Sequence, residues 1–160
     1  MNLNDLKGER GENIFTVLIT KWCSGHPFFT DSFLGEKHET TDFLVELINP
    51  TCGHGHFYVQ VKATTANYSG TGPSRKLDVQ VTKDDVEKLK QIHAPCYVVG
   101  VDIENVRGYI TAITQQNIVG ISGILTRNSL TCANLKKLWK EVDDYWTAKS
   151  MLSASSKFSQ

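Results

Sequence analysis

Long apolar runs are missing from this 160-residue sequence, and so is any excess of charge. No stretch approaches the roughly 18–20 apolar residues that span a bilayer. Residues 1–10 lack the apolar centre of a secretory leader. The 17 basic residues balance 17 acidic ones for a formal charge of zero. This excludes a protein that coats nucleic acid by bulk charge, but leaves room for a locally basic site. The four cysteines (Cys23, Cys52, Cys96 and Cys132) form no Cys-x-x-Cys pair. They read as reduced thiols of a cytoplasmic protein large enough to fold without cross-links. There is no internal repeat, no domain-sized linker and no Gly-x-x-x-x-Gly-Lys-Ser/Thr phosphate loop.

What is present is ordinary globular composition, 40% hydrophobic and 21% charged. It predicts one domain over residues 1–150 and a mobile tail over 151–160. Ile14, Val17 and Leu18, flanked by Phe15 and Trp22, predict a first helix over 7–22. The break at Ser24-Gly25-His26-Pro27 leads into a strand or loop that runs to Gly35. Residues 41–49 and 57–62 alternate across a Gly-rich link, which predicts an antiparallel hairpin. Phe43, Val45 and Leu47 share one face of its first strand. Tyr58, Gln60 and Lys62 share the face of the second strand opposite Phe57, Val59 and Val61. After a polar loop over 64–76 come a strand over 77–81 and a helix capped by Thr82, with Asp85 in the capping-box position. A β-branched strand follows over 96–103, then another over 109–113. A last helix over 131–149 carries Leu135, Leu138, Trp139, Val142 and Trp146 as an apolar stripe. The fold class is α/β, a single domain with a mixed central sheet flanked by helices.

The hairpin carries the chemistry. Asp42 begins one strand, and Gln60 and Lys62 lie towards the end of its partner, so a carboxylate, an amide oxygen and an ammonium converge at one end. Hard oxygen donors suit Mg²⁺ or Mn²⁺. A lysine beside them can counter phosphate charge or orient a water. The pattern Asp42…Gln60-Val61-Lys62 resembles the PD-(D/E)XK nuclease signature in its Gln-x-Lys variant. Lys7-Gly8-Glu9-Arg10-Gly11-Glu12 opens the preceding helix, where many members of that superfamily place a metal-binding glutamate. Glu12 fits that role best, with Glu9 second. The wider pattern, over about residues 6–150, is similar to the DUF4365 domain.

The resemblance implies a restriction-endonuclease-like αβββαβ core and a Mg²⁺- or Mn²⁺-dependent endonuclease. Asp42, Gln60 and Glu12 would hold the metal, and Lys62 would act on water and phosphate. The substrate class it implies is DNA, in genome defence or repair, with a homodimer or a targeting protein as partner. Because Gln60 is neutral, a non-catalytic nucleic-acid or protein-binding module on the same fold is the alternative reading.

Around this site, Arg75 and Lys76 are candidate phosphate contacts. Lys83, Lys88 and Lys90 read as a solvated helix face, and Tyr68 as packing rather than base stacking. Glu46 would join the site only if the hairpin register set it across from Gln60. Cys23-Ser-Gly-His26 and Cys52-Gly-His54-Gly-His56 offer zinc ligands at irregular spacing, which makes a zinc-stabilised interaction domain a third, weaker reading.

Overall fold

A computed structural model describes residues 2–65, 67–150 and 157. The predicted tail over 151–160, Lys157 apart, lies outside the described residues. Among the described residues there are three α-helices, α1 (Leu3–Ile19), α2 (Lys83–Lys90) and α3 (Cys132–Ser150). The strands are β1 (Trp22–Cys23), β2 (His26–Pro27), β3 (Phe29–Phe33), β4 (Phe43–Leu47), β5 (His56–Thr64), β6 (Tyr68–Ser69), β7 (Lys76–Leu77), β8 (Cys96–Asp102), β9 (Arg107–Ala112) and β10 (Ile124–Leu125). The central sheet has the order β3-β4-β5-β8-β9. Its β5/β8 pair is parallel and its other pairs are antiparallel, so the predicted mixed sheet is present. A three-stranded ribbon, β10-β7-β6, stands apart from it.

Each face of the sheet has its own core. On one face, Ile14, Phe15 and Ile19 of α1 and Leu135, Leu138 and Val142 of α3 meet Phe43, Val45, Phe57, Val59 and Val99. Phe15, Phe29 and Phe57 are fully buried, each worth roughly 2–3 kcal/mol in apolar area removed from water. On the other face, Val86 and Leu89 of α2 pack with Leu77, Val79, Val98 and Ile124. Gly100 of β8 makes room there, since a Cβ would sit 3.2 Å from Ile124, Leu77 and Val79 side-chain carbons. Every residue of β8 is buried, as its β-branched run predicts for a strand covered on both faces. Trp139 and Trp146 of the α3 stripe pack against the first core. Their indole N–H groups donate to the Ile48 and His56 carbonyls at 3.0 and 2.7 Å.

The boundaries depart from expectation for local reasons. The first helix begins at Leu3 because Asn2 and Asp5 form a reciprocal capping box. It ends at Ile19, so Trp22 belongs to β1 and is exposed rather than flanking the helical stripe. Over 77–81 only Leu77 joins a strand. The Asp78 N–H donates instead to Asn67, and Val81 pairs with Ile121, while Val79 and Val81 still point into the core. Asp102 ends β8 fully buried. It accepts hydrogen bonds from the Tyr68 hydroxyl at 2.7 Å, the Asn105 amide at 2.8 Å and two backbone N–H groups. Burial alone would raise its pKa, but these donors hold it below the ordinary carboxylate value.

The cysteine reading is overturned. Cys23 and Cys132 form a disulfide that ties β1 to the start of α3, leaving Cys52 and Cys96 free. Sequence gave no sign of it, because 109 positions separate the pair and only the fold brings their Cα atoms to 5.6 Å. No helix among the described residues is long and apolar enough to cross a membrane.

The β8–β9 turn holds Val106 at φ 54°, with its side chain 44% exposed. A β-branched residue is strained in the left-handed region, and little burial offsets the strain here. Val106→Gly should raise the unfolding free energy by about 1 kcal/mol, read from the denaturant midpoint. An unchanged or lower midpoint would show that the turn does not carry this strain.

Candidate active site

The site is a notch made by strands of unequal length. β4 has 5 residues and β5 has 9. Their pairing runs from Glu46↔His56 to Phe43↔Val59, so β5 extends past the start of β4. Asp42 stands at that point. Its N–H donates to the Val59 carbonyl at 2.8 Å. Its carboxylate accepts the Val61 N–H at 2.7 Å, taking the place of the missing strand neighbour. The register continued by one residue sets Asp42 across from Gln60. The same register places Glu46 against His56, at the far end of the hairpin, so Glu46 is not part of the site.

Helix α1 brings Glu12 to the notch through a close approach at Gly11, which is buried against β5. A Cβ on Gly11 would lie 2.6 Å from Ala63 Cβ, too near for either backbone to stay in place. Gly11→Ala should therefore destabilise the protein by about 1–2 kcal/mol, even though alanine favours a helix. A thermal midpoint equal to or above wild type would refute this close contact.

The carboxylates are coupled to one another by charge. Glu12 is half-buried, and its pKa is raised first by burial, then by the negative charges of Asp42 and Glu9. Asp42 is also raised by burial, against the opposing pull of the Val61 N–H and the Lys62 charge. Gln60 is 6% exposed, and its Oε1 has no hydrogen-bond partner among the described residues. A buried amide oxygen left unpaired is costly and uncommon. Lys62 Nζ lies 3.9 Å from an Asp85 carboxylate oxygen. Charge coupling links Glu12 to Asp42 and Asp42 to Lys62, the continued register sets Gln60 across from Asp42, and Glu9 is exposed beside Glu12.

Asp85 is the residue that sequence reasoning assigned elsewhere. Its backbone N–H is capped by Thr82 at 3.1 Å, as expected, while its carboxylate reaches across to Lys62. An acid at the third position of a helix can serve either purpose, and only the placement of α2 against β5 decides between them. The basic candidates lie at the separate β6–β7 ribbon. Gly100, the partner of Lys62 in register, packs against Leu77 and Val79, and so sets the β6–β7 ribbon beside the site. Arg75 and Lys76 are exposed on that ribbon, with the Arg75 guanidinium 4.3 Å from the Tyr68 ring centroid. Tyr68 is pinned by Asp102 and lies 3.1 Å from the Tyr109 hydroxyl, which makes it packing. Lys88 pairs with Glu39 and Asp84, and Lys90 with Glu87.

Among the described residues no three His, Cys, Asp or Glu side chains gather as a metal site. Cys23 is consumed by its disulfide, and Cys52, His26, His54 and His56 form no such group among the described residues, so the zinc reading built on them falls. The notch instead offers two carboxylates and a neutral amide oxygen. No family model, no curated protein and no solved structure matches the chain.

Proposed function

We propose that the notch is the active site of a divalent-cation-dependent endonuclease acting on DNA. The observation that carries the reading is the unpartnered, buried Gln60 oxygen beside two carboxylates whose pKa values are raised, with the Lys62 ammonium next to them. Two carboxylates and an unpartnered amide oxygen, with a single ammonium acting on Asp42, suit a hard cation, and Glu12, Asp42 and Gln60 would hold Mg²⁺ or Mn²⁺. Bound there, the ion would polarise a phosphate and acidify a water. Lys62 then orients the attacking water and counters the charge that builds on the phosphate. Asp85 holds the Lys62 side chain in place, and Arg75 and Lys76 meet neighbouring phosphates. The element order supports the same reading. With the two-residue strands β1, β2, β6 and β7 set aside, a helix, three antiparallel strands (β3, β4, β5), then α2 and a strand parallel to β5 is the order expected of a restriction-endonuclease-like core.

Purified protein incubated with DNA and RNA in Mg²⁺, in Mn²⁺ and in chelator tests the proposal. Cleavage of DNA that chelator stops is the expected result. Metal-independent binding with no cleavage of either polymer would replace this reading with the non-catalytic module.

A further inference from the structure

A second concave site lies at the opposite end of β4. Asp42 precedes that strand and Ile48 follows it, about 20 Å apart at strand rise. The groove there has a volume of about 820 Å³, within the size range of small-molecule sites. Its apolar surface comes from Pro27 and Phe28 at the end of β2, from Ile48 after β4, and from Trp139. Trp139 is fixed by its hydrogen bond to the Ile48 carbonyl, so this surface is formed before anything binds. The remaining wall is α3. Ala133, Lys136, Lys137, Lys140, Asp144 and Thr147 recur at helical spacing and line the groove.

The charges along that wall are not balanced. Lys140 is paired with Asp144 at 3.1 Å. Asp143 is occupied by the Thr51 N–H and hydroxyl at 2.7 and 2.6 Å. Lys136 and Lys137 have no acidic partner among the described residues and are exposed. They stand with His26 at the end nearest the start of α3, which the disulfide ties to β1. One end of the groove is therefore cationic and uncompensated, while its body is apolar.

We propose that this groove binds a small amphipathic carboxylate, with the acid head at Lys136 and Lys137 and the hydrocarbon or aryl body over Phe28, Ile48 and Trp139. The site is independent of the notch and of any nuclease activity. A buried apolar body supplies affinity, and the lysines select a negative head over a neutral one.

Titration with anilinonaphthalenesulfonate, read by fluorescence and competed with decanoate, tests the inference on the full chain. One dye should bind per chain, and decanoate should displace it. Lys136→Gln with Lys137→Gln should weaken both anions about tenfold while leaving the uncharged analogue N-phenylnaphthylamine unaffected. Ala133→Trp, which places an indole in the groove from an exposed helix position, should abolish binding of all three. Circular dichroism confirms that the variants are folded. No dye binding to wild type would overturn the proposal. So would equal affinity for charged and uncharged dyes in wild type, which would mark a protein-docking face, or binding that survives Ala133→Trp.

Discussion

Asp42→Asn should remove DNA cleavage by about 10³-fold or more and, in the absence of divalent cation, leave the protein more stable than wild type. The two effects share one cause. Asp42 and Glu12 are carboxylates brought together and partly stripped of water, and the pKa of each is raised. A carboxylate raised in the folded state binds more protons folded than unfolded. Stability therefore falls as pH climbs from the ordinary carboxylate value through the raised one, and the loss is complete above it. Asparagine removes one of the two charges and keeps an oxygen for the Val61 N–H, so the thermal midpoint at neutral pH should rise. Mg²⁺ should raise the midpoint of wild type and not of the variant, because ligand that binds only the folded state stabilises it. Lys62→Ala should lose about 10²–10⁴-fold in cleavage, the range expected for a positioned proton-transfer or charge-stabilising group. It should keep the Mg²⁺-dependent shift, since Lys62 is not a metal ligand. Cleavage undiminished in both folded variants would sink the assignment. An Mg²⁺ shift retained in Asp42→Asn would move the metal elsewhere.

Breaking the Cys23–Cys132 bond should have the largest effect on stability. The bond closes a loop with a sequence separation of 109, and cross-links across loops of that size restrict the unfolded chain most, with stabilisation typically about 2–4 kcal/mol. Replacing both cysteines with serine should lower the unfolding free energy by that amount. Wild type in reductant should fall to the value of the variant. Four free thiols on titration of the unfolded protein without reductant, or a midpoint indifferent to reductant, would remove the disulfide from the description. The bond also bears on the cytoplasmic setting expected from sequence, because reducing compartments seldom maintain structural disulfides.

What could be read from the sequence was what periodicity encodes. The alternation of Phe43, Val45 and Leu47 against Phe57 and Val59 places the hairpin and its buried face correctly. The α3 stripe and the Thr82 cap are likewise as expected. Asp42, Gln60 and Lys62 could be drawn together because antiparallel pairing fixes which ends of two strands meet. Glu12 was placed by resemblance, and its physical reason, the Gly11 contact with Ala63, depends on how a helix crosses a strand. The disulfide, the ribbon partners of β7 and the Lys62–Asp85 pair had no local signal at all. Apart from the local β6–β7 pairing, each joins segments far apart in sequence, so nothing in the neighbouring residues specifies the contact.

The disulfide also divides the molecule topologically. Closing the backbone between positions 23 and 132 makes a covalent ring, and Asp42, Gln60 and Lys62 all sit on that ring. Glu12 does not, since it belongs to the free N-terminal arm that precedes Cys23. A single nick within the ring leaves the pieces joined, whereas a nick at residues 20–22 frees the arm. Of the four site residues, Glu12 alone is held to the others by packing and by one stretch of backbone, without a second covalent path.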